Sequence, residues 1–303
     1  MSTRIYWLHA LSPTHVGTGR GVGYIDLPID RDGVTGWPIV RGSSFKGVWA
    51  DYFGATPENR QLDQALGTAF GVASDEESAS KAGALIPTDA KLVCIPVRSF
   101  RGTFAWCTSP LCLRMLRRLL ELAGVQGLPE PPRGLSDNEA LHTTDGVVAE
   151  GDRIYLEDLD FSAEDHRSAD EWSSRLGRWV FPDDEGWSSA FRQRFVVVSD
   201  TAFDFFCRTG TEVYTRVRID DDTKTVAKGA LWTEEALPAE TILAGMIKCD
   251  RLFGRNGKEM TAEGLLDKYA SGEILLQLGG KATVGRGLFD AYSPPWRIGK
   301  DER

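Results

Sequence analysis

The chain is poor in the residues that several common chemistries require. Its 303 residues include only five cysteines and four histidines. The cysteines, at 94, 107, 112, 207 and 249, are odd in number and form no Cys-x-x-Cys. That argues against a disulfide framework or a zinc ribbon, and they read as reduced, mostly buried thiols. His9, His142 and His166 stand apart from other ligand-type residues. No apolar run approaches the roughly 18 residues of a membrane span. The opening Met1-Ser-Thr-Arg-Ile-Tyr-Trp7 lacks the apolar stretch of a signal peptide, so a cytoplasmic location is expected. Repeats and low-complexity tracts are missing too. So is an excess of positive charge: the net charge is −9, whereas proteins that hold nucleic-acid phosphates are usually basic.

That deficit is local. Between Glu130 and Glu171 there are 13 acidic residues against three basic ones, and the rest of the chain is close to neutral. The segment reads as a solvated face or as a surface for a basic partner. Basic residues then stand beside glycines: Arg20, Lys46, Lys281 and Arg286. An apolar share of 42%, with 10% aromatics, supports a substantial core.

The pattern of elements is mixed. Arg4–Leu11, Lys91–Val97, Thr103–Cys107, Phe195–Ser199 and Gly272–Leu278 read as strands. Ser43 or Ser44 is placed to cap a helix whose apolar stripe is Phe45, Val48, Trp49 and Phe53. Ser109-Pro110 opens a second helix with the stripe Leu113, Leu116, Leu119 and Leu120, closed by Gly124. Its basic face, Arg114, Arg117 and Arg118, reads as solvated. Thr261–Tyr269 is a third, short helix. Gly71–Ala84, containing Asp75-Glu-Glu-Ser78, reads as an exposed loop, and Gln126–Gly186 as an insertion outside the central sheet. Thr211–Ile219 alternates, turns through Asp220–Thr225 and returns over Val226–Trp232 as a hairpin, with Arg216, Arg218 and Lys228 facing outward. The fold class is α+β.

Two glycine-rich stretches carry the functional signal. Leu278-Gly-Gly-Lys-Ala-Thr-Val-Gly-Arg-Gly-Leu-Phe289 surrounds Lys281 and Arg286 with Gly279, Gly280, Gly285 and Gly287. Glycine admits positive φ, and successive N–H groups in such a loop can line an anion-binding concavity. No nucleotide-binding fingerprint is complete here. Taken alone, the stretch is equally a glycine hairpin without a ligand. Near the other end stands Ser12-Pro-Thr-His-Val-Gly-Thr-Gly-Arg-Gly-Val-Gly-Tyr-Ile-Asp-Leu-Pro-Ile29, followed by Gly36-Trp-Pro-Ile-Val-Arg-Gly-Ser-Ser-Phe-Lys-Gly-Val-Trp-Ala-Asp51.

In this order, the His-x-Gly loop, the Asp-Leu-Pro-Ile segment, the Pro-x-x-x-Ser-Ser-x-Lys-Gly helix entry and the C-terminal glycine loop resemble the RAMP superfamily of CRISPR RNA-binding proteins. Within it they are similar to the repeated backbone subunits of type III-B (Cmr) effectors. The match spans both ends of the chain. Arg41 departs from it, since a small residue is expected beside Gly42. The resemblance implies a single RAMP domain over 1–303, with a ferredoxin-like, RNA-recognition-motif-like palm. Insertions over about 54–90 and 125–190 would form a helical lobe, and 205–235 a β-hairpin thumb. It implies guide RNA, complementary target RNA, further copies in a head-to-tail filament and other Cmr subunits as partners.

In that family the aspartate of the Asp-Leu-Pro-Ile segment, here Asp26, is the cleavage residue. RNA supplies its own nucleophile, the 2′-hydroxyl. One carboxylate can therefore suffice, as a base or as a ligand of Mg²⁺ that is otherwise held by phosphates and water. The implied products are a 2′,3′-cyclic phosphate and a 5′-hydroxyl. Read on its residues alone, Asp26 is better taken as a turn aspartate capping nearby backbone N–H groups. His15 is a candidate acid–base or RNA-contacting partner, because histidine exchanges protons near neutral pH. The resemblance places an acidic residue of the Glu234–Glu235 region near the scissile site, after the hairpin. Ser43, Ser44 and Lys46, at a helix start, and Gly279, Gly280, Lys281 and Arg286 are the expected guide contacts. Other readings are a non-catalytic RNA scaffold, a guide-processing ribonuclease of the same superfamily, and a metabolic enzyme that holds a nucleotide phosphate.

Overall fold

The first strand, Ser2–Ala10, shows how the molecule is layered. Tyr6, Leu8 and Ala10 belong to one apolar cluster, while Ile5 and Trp7 belong to another. Alternate side chains of a strand point to opposite faces. A strand buried on both faces must therefore be apolar at nearly every position, as Ile5–Ala10 is apart from His9. The computed structural model describes residues 2–19, 21, 23–73, 80–250 and 260–294. Among these, a mixed sheet of 13 strands runs through the molecule with helices on both sides. Among the described residues no helix is long and apolar enough to cross a membrane.

From one edge the sheet runs Gly272–Gln277, Leu288–Ser293, Ser2–Ala10, Ile242–Cys249, Ala90–Arg98, Phe104–Thr108, Phe195–Val198, Glu139–His142, Leu159–Asp165, Arg153–Leu156 and Ala149–Glu150, while Ile39–Val40 pairs with Ala90–Arg98 and Leu85–Pro87 with Ile242–Cys249 off this path. The first and last strands thus pair with each other, one strand in from that edge. Helices Gly42–Tyr52 and Ala262–Tyr269 cover one face with Phe45, Trp49, Leu265, Leu266 and Tyr269. Phe45 stacks on Tyr6, with ring centroids 4.3 Å apart. Helices Pro110–Leu122 and Arg167–Val180 cover the other with Leu113, Leu116, Leu120, Trp172 and Leu176. Ser109 caps its helix as expected, its hydroxyl accepting the Cys112 N–H, with Pro110 in the first turn. All five cysteines are free and buried, and burial pushes their thiols up.

Two stretches of the sheet and its loops depart from the sequence reading. Gln126–Gly186 does not stand outside the sheet; four of its strands extend that sheet by one edge. Its acidic residues hid this, because the strands are short and only Ile154, Leu156, Phe161 and neighbouring alternate positions turn inward. Gly71–Ala84 is also not wholly loop, since Gly71–Val72 pairs with Lys81–Ala82. Asp75–Ser78 lies outside the described residues, as does Arg20.

One core position is electrostatically unfavourable. Asp290 pairs across the sheet with His9, and its Oδ1 is buried with no hydrogen-bond partner among the described residues. Burial, then the Glu273 charge, raise its pKa from 3.8 to about 6, against a smaller opposing effect of His9. The folded state therefore keeps this proton to higher pH than the unfolded chain, so stability falls as pH rises from about 4 to about 6. Asp290→Asn is expected to gain about 1 kcal/mol at pH 7.5, allowing for solvent screening, and nothing at pH 4. Thermal melts at the two pH values check this; an equal change at both would contradict it.

Candidate functional site

Asp26 stands at an exposed edge of the loop that follows the first strand. The loop is closed on itself by the Gly17–Ile29 bridge and by the Gly21 N–H donated to the Asp26 carbonyl at 2.9 Å. Its outgoing segment lies along the hairpin. Leu27 donates to the Thr233 carbonyl at 3.0 Å, and Glu235 donates to the Leu27 carbonyl at 2.9 Å. The Asp26 carboxylate is held where this pairing begins. Its Oδ2 accepts the Thr233 N–H at 2.8 Å and the Thr233 hydroxyl at 3.0 Å. The Asp26 N–H donates back to that hydroxyl at 3.0 Å.

Glu234 and Glu235 do not follow the hairpin, as the sequence suggested. They lie within its second strand, Val226–Ala236, opposite Tyr214 and Val213 of Glu212–Ile219. Both are buried and committed to internal partners. Glu235 binds Arg31 at 2.5 Å, accepts from the Thr211 hydroxyl at 2.8 Å and accepts the Ile29 N–H at 3.0 Å. Glu234 binds Lys281 at 2.8 Å and Arg216 at 3.4 Å, and accepts from the Trp232 indole at 2.7 Å. Burial opposes the Glu234 charge, but the Lys281 and Trp232 hydrogen bonds and the two cations outweigh it and lower its pKa. Neither glutamate hydrogen-bonds Asp26 directly: Thr233 stands between.

His15 is buried, with Nδ1 2.7 Å from the Glu235 carbonyl oxygen, which fixes Nδ1–H as donor. Its own carbonyl accepts the Gly280 N–H at 2.9 Å, joining the two glycine-rich stretches that the sequence singled out. His15 thus holds those stretches together rather than standing open to a ligand.

The C-terminal loop has positive φ at Gly279, Lys281, Gly285 and Gly287, around the short turn Ala282–Val284. Much of its backbone is used internally. Gly280 bonds His15, Gly287 bonds Pro13, and Val284, Gly285 and Arg286 donate back to Lys281 and Ala282. The exposed tip is Ala282–Gly285. Its two cations are also engaged. Arg286 is only 9% exposed, lies 3.9 Å from the centre of the Tyr214 ring and is 3.6 Å from Glu212. Lys281 binds Glu234 and faces the Trp232 ring. The sequence suggested Arg286 as an open cation; the structure makes it, with Lys281, a latch between loop and hairpin.

That latch decides which face the hairpin shows. Glu212, Tyr214 and Arg216 turn toward the loop, so the outward face is apolar: Val213, Val217, Ile219 and Leu231 are exposed. Arg216 is therefore not an outward cation, while Arg218 is exposed. The Lys228 side chain lies outside the described residues.

Ser43 and Ser44 also differ from expectation. Helix Gly42–Tyr52 begins with Arg41 at its cap, so both serines are exposed in the first turn rather than capping it. The Gly42 N–H is taken by Asp89 at 2.8 Å, and Arg41 is held by Asp30 through bonds of 2.6 and 2.9 Å. Arg41 thus has a local role where a small residue was expected. Lys46 is half-buried; burial, then the Arg60 charge, lower its pKa.

Among the described residues no group of three or more His, Cys, Asp or Glu is arranged to hold a metal. A lone carboxylate such as Asp26 could hold a cation only together with ligands from outside the chain. A cavity of about 310 Å³ opens instead between helix Pro110–Leu122 and strand Ala90–Arg98, lined by Trp37, Leu92, Met115 and Leu119. No expected site residue lines it. The sequence reading missed Thr233, Tyr214 and Glu212. The alternation over Glu212–Ile219 already placed Glu212, Tyr214 and Arg216 on one face, but nothing local tied Thr233 to Asp26.

The sequence model of the RAMP superfamily matches residues 7–290. The chain is 30% identical over 292 residues to the CRISPR system Cmr endoribonuclease Cmr4 of Pyrococcus furiosus, covering 95% of this chain and 94% of that one. It is 22% identical over 303 residues to the CRISPR system CMR subunit Cmr4 of Saccharolobus solfataricus, covering 94% of each. Oligomeric Cmr4 from Pyrococcus furiosus superposes with a TM-score of 0.73 at 24% identity, over 97% of this chain and 98% of that one. A chain of a type III-B Cmr-beta complex bound to cognate target RNA superposes with a TM-score of 0.71 at 20% identity, over 97% of each. The two structural likenesses are likenesses of fold.

Proposed function

This chain belongs to the RAMP superfamily, and from that premise we propose that it is a backbone subunit of a type III-B CRISPR ribonucleoprotein. It binds guide RNA along its length, in company with further copies of itself and other Cmr subunits. It cleaves complementary target RNA at regular intervals. The observation that carries this reading is near full-length similarity to a relative named as an endoribonuclease. The exposed Asp26, in the family's Asp-Leu-Pro-Ile segment, supports it. A head-to-tail contact that does not close produces a filament, which suits a linear RNA. We read the centre of the sheet with helices Gly42–Tyr52 and Ala262–Tyr269 as a ferredoxin-like palm, and the Glu212–Ala236 hairpin as its thumb.

The guide needs to be held without regard to its sequence, and phosphate contacts do this. The exposed first-turn serines Ser43 and Ser44, Lys46 beside them and the tip Ala282–Gly285 are the surfaces for it. Asp26 acts at the target. It accepts the proton of the 2′-hydroxyl, or orients a cation on the scissile phosphate. The 2′-oxygen attacks phosphorus and the bond to the 5′-oxygen breaks, leaving a 2′,3′-cyclic phosphate and a 5′-hydroxyl. A bound Mg²⁺ would offset charge on the phosphate oxygens, with Asp26 as its protein ligand.

The full-length chain, purified with its complex, is expected to carry RNA of uniform length and to cut a complementary RNA at evenly spaced positions. Absence of bound RNA would rule the proposal out. Uniform bound RNA without cutting would leave only the scaffold part of it.

A further inference from the structure

An exposed carboxylate on a glycine-rich loop has no intrinsic reason to point one way. Asp26 is oriented by a residue 207 positions away, through two hydrogen bonds to its carboxylate and one from its backbone N–H. Thr233 lies in the second hairpin strand, opposite Thr215. Its backbone N–H and carbonyl point away from that partner strand, and the carbonyl receives the Leu27 N–H at 3.0 Å. The N–H, which would otherwise be an open edge donor, goes to Asp26 Oδ2 at 2.8 Å. The hydroxyl closes the arrangement from both sides. It accepts the Asp26 N–H and is 3.0 Å from Asp26 Oδ2; its other acceptor, the Tyr24 carbonyl, is at 3.3 Å. A hydroxyl has one proton and two lone pairs, so both Asp26 bonds can form at once. Threonine is also stiff about χ1, so its hydroxyl is itself well placed.

We propose that Thr233 is the positioning residue of Asp26, fixing the rotation of its carboxylate and so tying the geometry of cleavage to the placement of the hairpin. This rests on the reading of Asp26 as the cleavage residue. The physical point is that a carboxylate must meet the 2′-hydroxyl or a phosphate-bound cation within a narrow range of angles. Without these bonds the Asp26 carboxylate would sample more rotamers, of which fewer are productive. Thr233 shares a hairpin face with Val213, Val217 and Leu231, so a change in the hairpin's position moves the carboxylate with it.

The test uses the assembled complex containing the full-length chain, with single-turnover cleavage and target affinity measured separately. Thr233→Val keeps the β-branched shape and the backbone N–H but loses the hydroxyl. It is expected to lower the cleavage rate by about tenfold to a hundredfold with target affinity nearly unchanged. Thr233→Ser restores the hydroxyl and should recover most of the rate. Thr233→Ala, which adds no bulk, should fall as Thr233→Val does. A wild-type rate for Thr233→Val and Thr233→Ala, with Asp26→Asn inactive, overturns the role of Thr233 alone. So does an equal loss for Ser and Val. A wild-type rate for Asp26→Asn instead removes the reading on which the proposal rests.

Discussion

Asp26→Asn is expected to leave assembly and target binding intact while abolishing target cleavage. Asparagine keeps the size of the side chain, and its carbonyl oxygen can still accept the two Thr233 donors that Oδ2 now receives. What it lacks is the charge needed to take a proton or hold a divalent cation. Losing a general base costs about 10²–10⁴-fold in rate, and losing an essential cation site costs more. A target with hydrogen in place of the scissile 2′-hydroxyl should be equally resistant to the wild-type protein, because the nucleophile itself is missing. A chelator separates the two roles. Activity that survives chelation marks Asp26 as a base, while activity that vanishes and returns with Mg²⁺ marks it as a cation ligand. Cleavage by Asp26→Asn at the wild-type rate would end the catalytic assignment and leave a scaffold.

Gly279→Ala is expected to cripple guide binding, whereas Gly285→Ala is expected to be mild. Both glycines have positive φ, 82° and 79°, which costs an alanine about 1–2 kcal/mol. They differ in surroundings. A Cβ at Gly285 meets open space, while one at Gly279 overlaps the His15 carbonyl oxygen. That oxygen is the acceptor of the Gly280 N–H, so the loop must lift away from His15 and take the Gly287–Pro13 bond with it. Each such bond contributes roughly 1 kcal/mol, which brings the loss at Gly279 to about 3 kcal/mol or more. Guide affinity at fixed salt should fall at least roughly tenfold for Gly279→Ala, alike for all guide sequences, because phosphate contacts carry no sequence information. Equal affinities for the two variants would show that docking of this loop on His15 does not matter to the guide.

The contrast between these glycines shows why part of the site was readable in advance and part was not. The order of the His-x-Gly, Asp-Leu-Pro-Ile, Ser-Ser-x-Lys-Gly and C-terminal glycine segments carried the family resemblance, and through it made Asp26 and the two loops candidates. It could not say that His15 lies beneath Gly280, or that Glu234 takes up Lys281. The serine cap was misread for a similar reason. The local pattern was right for a helix start, but Asp89, from a distant loop, bonds the Gly42 N–H, and the helix begins at Gly42. The hairpin's two strands were legible from alternation. Which face turned outward depended on Tyr214 covering Arg286, 72 positions on.

By itself, then, the sequence determined whatever follows from neighbours along the chain. Examples are the capped helix at Ser109–Pro110, the alternation of the hairpin, the buried run of the first strand and the glycines that admit positive φ. Tertiary structure decided what depends on partners far apart in the chain. It placed the acidic segment's strands at the sheet edge, turned two apparent phosphate cations into a latch and set the direction of the Asp26 carboxylate. The reason is that a short stretch carries its own torsional and burial preferences. Whether a charge is exposed or neutralised depends on what the rest of the fold brings beside it.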